Sequence, residues 1–300
     1  MDRYGLFGQL EIVWSDKLTI MPGVRVDWTR LTPGDTVVGG TVLTDKVKDS
    51  GVSPKLAALY NIAPWFGLFG SVARTVRMPN IDEIFTRSAT RPNNPDLKPE
   101  KSDNYEAGFT LSFDDMLVKN DRFRAKTTLF QNDVKDLIVN VSAAAGTPYF
   151  QNINRSRFKG IELEAEYGMG GFYARGNASF IDGKNRLTGD YLNTIPANDY
   201  RLTLGYNDVA SGLSGGWTGE FAERQDKVTP GSFASAGSGL ATPGYSVHNL
   251  FFAFKPQGGV AKGFEFRIAM DNIFDKQYRR HLSSLAAEGQ SFRFTVANTF

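Results

Sequence analysis

The sequence has no cysteine and 2 histidines among 300 residues. Disulfide frameworks, thiol catalysis, zinc-finger spacings and metal sites built from several imidazoles are therefore excluded. Charge of one sign is also missing: 34 Lys+Arg stand against 32 Asp+Glu, a net charge of +2, with no basic block. A chain whose main partner is nucleic acid would carry a clear positive excess, so no nucleic-acid partner is expected. No run approaches the roughly 18 apolar residues of a helical membrane span. The most apolar one, Ile62 to Gly70, is short and holds Pro64, Gly67 and Gly70. Met1-Asp2-Arg3-Tyr4 leads into mixed polar and apolar residues, so no signal peptide is expected at this end.

What is present is aromatic and alternating. Phe, Tyr and Trp make up 13% of a chain whose mean hydropathy is −0.30, a pairing that suits strands with two unlike faces. Phe264, Phe266, Ile268 and Met270 alternate with Glu265, Arg267, Ala269 and Asp271. Tyr105, Ala107, Phe109, Leu111 and Phe113 likewise oppose Glu106, Gly108, Thr110 and Ser112. Ile161, Leu163, Ala165 and Tyr167 oppose the row Glu162, Glu164, Glu166, which implies water on that face.

Such segments predict about thirteen strands of roughly ten residues, longer than the usual five or six of globular strands. They fall near residues 3–14, 18–30, 52–62, 65–76, 101–113, 122–139, 156–167, 171–183, 197–207, 213–226, 244–255, 263–273 and 290–300, and a helical turn has room only at Asn80 to Thr86. Short links, such as Ser15-Asp16-Lys17, Ala63-Pro64 and Asp114 to Asp121, alternate with long ones near 31–51, 77–100, 140–155, 184–196, 227–243 and 274–289. An up-and-down antiparallel meander places alternate links at opposite ends, and transmembrane β-barrels pair short turns at one end with long loops at the other. Strands of about 9–11 tilted residues span a bilayer. The expected fold is all-β, an antiparallel transmembrane barrel. An odd strand count cannot close an antiparallel ring, so either the count is off by one or strands are missing from the front.

Three ordered stretches resemble the C-terminal barrel of TonB-dependent outer-membrane receptors. Asn94-Pro95-Asp96-Leu97-Lys98-Pro99-Glu100 through Gly108, preceded by Arg77-Met78-Pro79, is similar to that family's loop-to-strand signature. Arg157 to Glu164 resembles its mid-barrel strand, Asp271 to Tyr278 its penultimate strand end, and Phe300 its terminal aromatic. The resemblance implies that residues 1–300 are the C-terminal portion of a 22-stranded barrel. The N-terminal plug and TonB-contacting segment find no counterpart, which leaves a fragment or a truncated gene. It further implies a Gram-negative outer-membrane location, long loops facing outward, and uptake of an iron chelate, siderophore or haem. The TonB-ExbB-ExbD system would drive that uptake through the missing plug, and lipid and lipopolysaccharide would surround the wall. The rival is a structural or adhesive barrel fragment without transport.

Within that frame, Arg77, Arg87, Arg91, Asn93 and Asn94 in one loop could hold an anionic chelate by charge-assisted hydrogen bonds, or could solvate the loop and meet lipopolysaccharide phosphates. The Arg-x-Pro and Asn-Pro-Asp-Leu boxes also resemble those of haem receptors, which generally place a His between them; this chain has none there. In the last long loop Arg279 and Arg280 precede His281, where an imidazole could ligate iron, a basic trio could bind an acidic group, or a polar surface could be all there is. His248 alternates with Leu250, Phe252 and Phe254 and reads as a wall residue. Tyr4, Trp14, Trp28, Trp65, Tyr167, Tyr206 and Tyr278 fall near strand ends, as interfacial girdles do. Absence of a nucleophile elbow, an HExxH or a phosphate-cradling glycine loop leads us to expect no enzyme and no cofactor.

Overall fold

A computed structural model describes residues 1–32, 46–141, 145–229 and 241–299, with the backbone of 37–38 and 41–42; Phe300 and parts of three long loops lie outside the described residues. Period-two patterning becomes strands throughout. They are β1 (Asp2–Gln9), β2 (Ile12–Val13), β3 (Leu18–Leu31), β4 (Val37–Val38), β5 (Thr41–Val42), β6 (Val47–Ala63), β7 (Phe66–Arg77), β8 (Glu100–Asp114) and β9 (Asp121–Asn140). There follow β10 (Phe150–Met169), β11 (Phe172–Asn185), β12 (Asp199–Asp208), β13 (Leu213–Ala222), β14 (Tyr245–Phe254), β15 (Phe264–Asp271) and β16 (Ser291–Asn298). One helical turn, α1 (Ile81–Phe85), stands where the sequence leaves room for it. Each long strand pairs antiparallel with its sequence neighbour in the order β1-β3-β6-β7-β8-β9-β10-β11-β12-β13-β14-β15-β16; β2 extends β1 along β3, and β4 and β5 form a separate hairpin. The path thus holds the thirteen strands that the alternation predicts.

Strands β6 and β10 run past their predicted ends at the long-loop side, and the link after β9 shrinks to 141–149. The extensions escape a period-two reading because apolar alternation stops there: Lys48, Asp49 and Ser50 sit on that of β6, and Gln151, Asn152, Asn154 and Arg155 on that of β10.

Register carries the apolar residues of neighbouring strands onto one face. Ala107, Leu129, Ile161 and Phe180 lie side by side across four strands, and Trp217, Leu250, Met270 and Phe292 across four more. The rings on this face are bare: Phe172, Phe292 and Phe294 are 61%, 68% and 60% exposed. Taking one such side chain out of water is worth about 1.5–3 kcal/mol, so a face made of them requires a hydrocarbon neighbour. The opposite face carries ion pairs between adjacent strands, Lys126–Glu164 at 3.8 Å, Arg175–Glu166 at 3.0 Å and Arg201–Glu220 at 2.7 Å, in the row the three glutamates announced. These pairs are half-exposed and each adds little stability; their effect is to make the face wet.

Rings on the charged face are accommodated by glycine. Phe69 lies over Gly108, Phe130 over Gly160, Tyr173 over Gly205 and Phe251 over Gly216, each on the neighbouring strand, where a Cβ would collide with the ring.

Because direction alternates over thirteen strands, β1 and β16 run the same way. Their outer edges cannot join antiparallel, and no pairing between them occurs among the described residues. Closure takes an odd number of further strands, since unpaired backbone groups are costly in hydrocarbon. Gly205→Ala should destabilise the folded wall by about 1–3 kcal/mol through overpacking against Tyr173. Tyr173→Ala in the same chain should recover most of that loss in urea unfolding from lipid vesicles; an additive double variant would show that the ring is not the obstacle.

Candidate functional site

Among the described residues, two clusters of buried apolar side chains lie where long loops fold onto strand ends, not across the wall. Leu31, Ile84, Leu97 and Ile138 form one, with Val47, Phe85 and Phe150 against it; Ile153, Leu192 and Ile195 form the other. The long-loop end is therefore a folded cap, and the polar candidates sit in it.

The first group surrounds α1. Asn80 caps the helix by accepting from the Glu83 N–H at 2.8 Å, while the Glu83 carboxylate accepts from the Asn80 N–H at 2.8 Å. That carboxylate also meets Arg77 at 2.9 Å, and the same guanidinium forks onto Glu100 at 2.6 and 2.7 Å. Glu100 in turn accepts from the Ile138 N–H at 2.8 Å, so Arg77 ties α1 to three strands. Arg91 reaches across to the link after β9, donating to the carbonyls of Val141, Thr147 and Pro148 at 2.8–2.9 Å, with its guanidinium 3.9 Å over the Tyr149 ring. Asn94 donates to the Phe150 carbonyl at 2.8 Å. Arg77, Arg91 and Asn94 are thus struts whose donors are engaged. Arg87 differs, for its Nε is buried without a hydrogen-bond partner. Asn93 is half-buried beside Asn94 in the same loop.

The second group lies over β12 to β14. His281 Nδ1 meets the Thr242 hydroxyl at 2.8 Å and Nε2 meets the Asn193 carbonyl at 3.0 Å. A carbonyl can only accept, so Nε2 carries a proton, and the ring links three loops. Iron ligation at His281 would require one of these bonds to break. Buried Gln225 adds to the lacing, donating to the carbonyls of Ile195 and Pro196 at 2.9 and 2.8 Å. Beneath it opens a cavity of about 260 Å³, lined in part by Tyr200, Arg201, Glu220, Arg279, Arg280 and His281. Glu220 is shared between Arg201 at 2.7 Å and Arg280 at 3.4 Å. Glu223, at the rim, accepts from the Tyr200 hydroxyl and the Asn198 amide, which hold its carboxyl below the usual glutamate range. Among the described residues Arg279 has no ion pair or hydrogen bond, which leaves it the unneutralised cation of the lining. A second hollow of about 230 Å³ shares Glu220 and Arg280 and leads down the charged face to Asp271 and Arg293.

No cavity, ion pair or hydrogen bond among the described residues joins the two groups. His248 sits on the apolar face among Trp217, Phe221 and Phe274 at centroid distances of 5.3–5.6 Å, as its alternation implies. No cluster of three or more acidic or histidine side chains able to hold a metal occurs among the described residues. The pocket's Arg201 and Glu220 escape a sequence reading because they come together only once the β12–β13 register is known.

His281→Ala should free the loop 272–290 from its neighbours at a local cost of about 1–3 kcal/mol. Proteolysis of that loop in the folded protein should quicken several-fold, while His248→Phe leaves it unchanged; equal rates for all three proteins would contradict the latch.

The family model described as TonB dependent receptor-like, beta-barrel matches residues 1–273. The hemin receptor of Yersinia enterocolitica is 30% identical over 305 residues, covering 93% of this chain and 42% of its own length. Heme/hemopexin utilization protein C of Haemophilus influenzae is 26% identical over 310 residues, covering 96% and 42%. The chain therefore spans less than half the length of these relatives. Among solved structures, the copper transporter OprC superposes with a TM-score of 0.83 at 21% identity, over 99% of this chain and 48% of that one. The Serratia marcescens hemophore receptor HasR, as a double mutant with its hemophore and heme, gives 0.74 at 22% identity, over 99% and 51%. With the family model matched along most of its length and strands in the same arrangement, the chain belongs to the TonB-dependent receptor-like β-barrel family, whose members are receptors of the bacterial outer membrane.

Proposed function

We propose that the 300 residues form wall and external loops of a Gram-negative outer-membrane transporter for an iron chelate, with haem the first candidate and siderophores the second. The observation that carries this reading is the division of one continuous sheet into an apolar face and a face of ion pairs, topped by a cap with a small polar pocket. Such a wall separates lipid from a watery interior, and the cap is where a solute would first be held. Haem leads because the relatives at 26–30% identity carry haem and hemin in their names. The unpaired edges of β1 and β16 call for further strands, and the plug and the TonB-ExbB-ExbD partnership of the whole receptor belong to this proposal too.

The pocket narrows what recognition can be. At about 260 Å³ it falls just below the ~300 Å³ at which drug-sized sites begin. It can seat an acidic arm of a chelate, not the whole. Arg279 supplies the charge-assisted donor for that arm, and Arg280 a second when it swings from Glu220. Arg87 and Asn93 remain contacts we propose from the α1 side, with Arg77, Arg91 and Asn94 fixing the loops that carry them. Both histidines are engaged with protein neighbours, so the ligand is held by its edge and the iron is left to the ligand's own donors.

Arg279→Gln in the complete receptor should weaken haem binding about tenfold, near 1.4 kcal/mol, in a fluorescence-quenching titration. An iron-starved strain bearing the receptor should grow on haem only with a functional TonB system. Unchanged affinity removes Arg279 from the site. Failure of haem and of every siderophore class to bind would contradict the transport reading in favour of the structural one.

A further inference from the structure

At the short-turn end, the link between β8 and β9 presents side chains that a wall does not account for. Met116, Leu117 and Val118 are 49%, 70% and 45% exposed, and Lys119 follows them. Tight turns are ordinarily polar, so three adjacent aliphatic side chains at a tip are out of place in water.

Most amide donors of the backbone beneath them are bonded within the turn. The fully buried Asp121 carboxylate accepts from the N–H groups of Met116, Leu117 and Val118 at 2.6, 2.8 and 3.0 Å, and from the Tyr167 hydroxyl at 2.8 Å. The Asp121 N–H donates to the Val118 carbonyl at 3.2 Å, the Asp115 N–H to the Asp121 carbonyl at 3.1 Å, and the Asn120 N–H to the Asp115 carboxylate. Asp115 and Asn120 take left-handed φ values of 56° and 66° to make this possible. The N–H groups of Asp115, Met116, Leu117, Val118 and Asn120 are thus satisfied internally, so the tip loses fewer hydrogen bonds on leaving water than an open turn would. The link between β12 and β13 repeats part of the device: Asp208 accepts from the Ala210 N–H at 3.0 Å beside Val209, which is 75% exposed.

The tip is also continuous with the apolar face. Phe113 and Phe123 are cross-strand partners on that face, 6.4 Å apart, and Trp65 stacks on Phe113 at 5.4 Å. Leu117 lies four positions beyond Phe113, at most ~14 Å of fully extended chain and less in a turn. The polar zone of a bilayer is about 5–7 Å deep on each side, so the tip falls in it or at its border.

We propose that the turn 115–120 is a membrane-interface anchor: Met116, Leu117 and Val118 seat among the headgroups of the periplasm-facing leaflet, and Lys119 reaches a lipid phosphate. The inference rests on the outward face meeting lipid, and the test separates the two. These 300 residues have no native cysteine, so once any cysteine in the rest of the receptor is replaced by serine, single cysteines at Leu117, Phe266 and Leu285 can each carry an NBD fluorophore in the complete receptor, folded into phosphatidylcholine vesicles. Leu285 is 74% exposed at the opposite end and controls for the label's own affinity for lipid. NBD at 117 should emit to the blue of NBD at 285 and be quenched more by headgroup nitroxide lipid than by lipid labelled deep in the acyl chain. NBD at 266 should show the reverse preference. Aqueous emission at 117 with lipid quenching retained at 266 overturns the anchor and leaves the wall standing. A blue-shifted label at 117 that neither lipid quenches means a protein contact and also overturns it. Aqueous emission at both positions removes the outward lipid face together with the anchor.

Discussion

The structure depends on one sheet having to satisfy two solvents at once. Each strand alternates side chains between faces, so a single register error would turn a row of phenylalanines into water and a row of glutamates into hydrocarbon. Pairings such as Ile161 with Leu129 and Phe180, flanked by Glu164 opposite Lys126, show register and polarity specifying each other. No apolar core runs through the wall; its stability comes from backbone ladders, ring-over-glycine contacts and the lipid outside. That is why the apolar side chains are the exposed ones.

The same constraint pushes the ordinary folding problem to one end. Above the apolar band the chain has water on both sides, and there it builds small cores around Ile84 and Ile195 and laces its loops with polar side chains. Arg77, Arg91 and His281 are spent on this lacing, each joining segments far apart in sequence. The pocket exists because the lacing holds it open, and its free charge is concentrated at Arg279. At the other end, connections are short, and the turn 115–120 satisfies most of its own amide donors instead of borrowing water.

Sequence patterning made the wall legible and the cap largely opaque, for a physical reason. Alternation is local, so β7, β8 and β11 lie within two residues of their predicted limits and α1 falls between Asn80 and Thr86. It ends where hydrocarbon ends, and the extensions of β6 and β10 were hidden for that reason. The cap depends on contacts across large separations: Arg91 meets a loop 50 or more residues away and His281 a carbonyl 88 residues away. An Arg, Asn or His in such a loop looks the same in sequence whether it awaits a ligand or braces the scaffold. Of the eight residues chosen for their chemistry, Arg279, Arg280 and His281 line one cavity, whereas Arg77, Arg91 and Asn94 brace the other side.

A wall between two solvents can be read residue by residue along β10, where the two faces are most sharply contrasted. Nitroxides at six consecutive single cysteines from Ile161 to Glu166, in the receptor folded into lipid vesicles, report collision with oxygen, which concentrates in hydrocarbon. Lipid on one face and water on the other should give a period-two oscillation with maxima at Ile161, Leu163 and Ala165 and minima at Glu162, Glu164 and Glu166. A flat profile, or maxima on the glutamates, would contradict it.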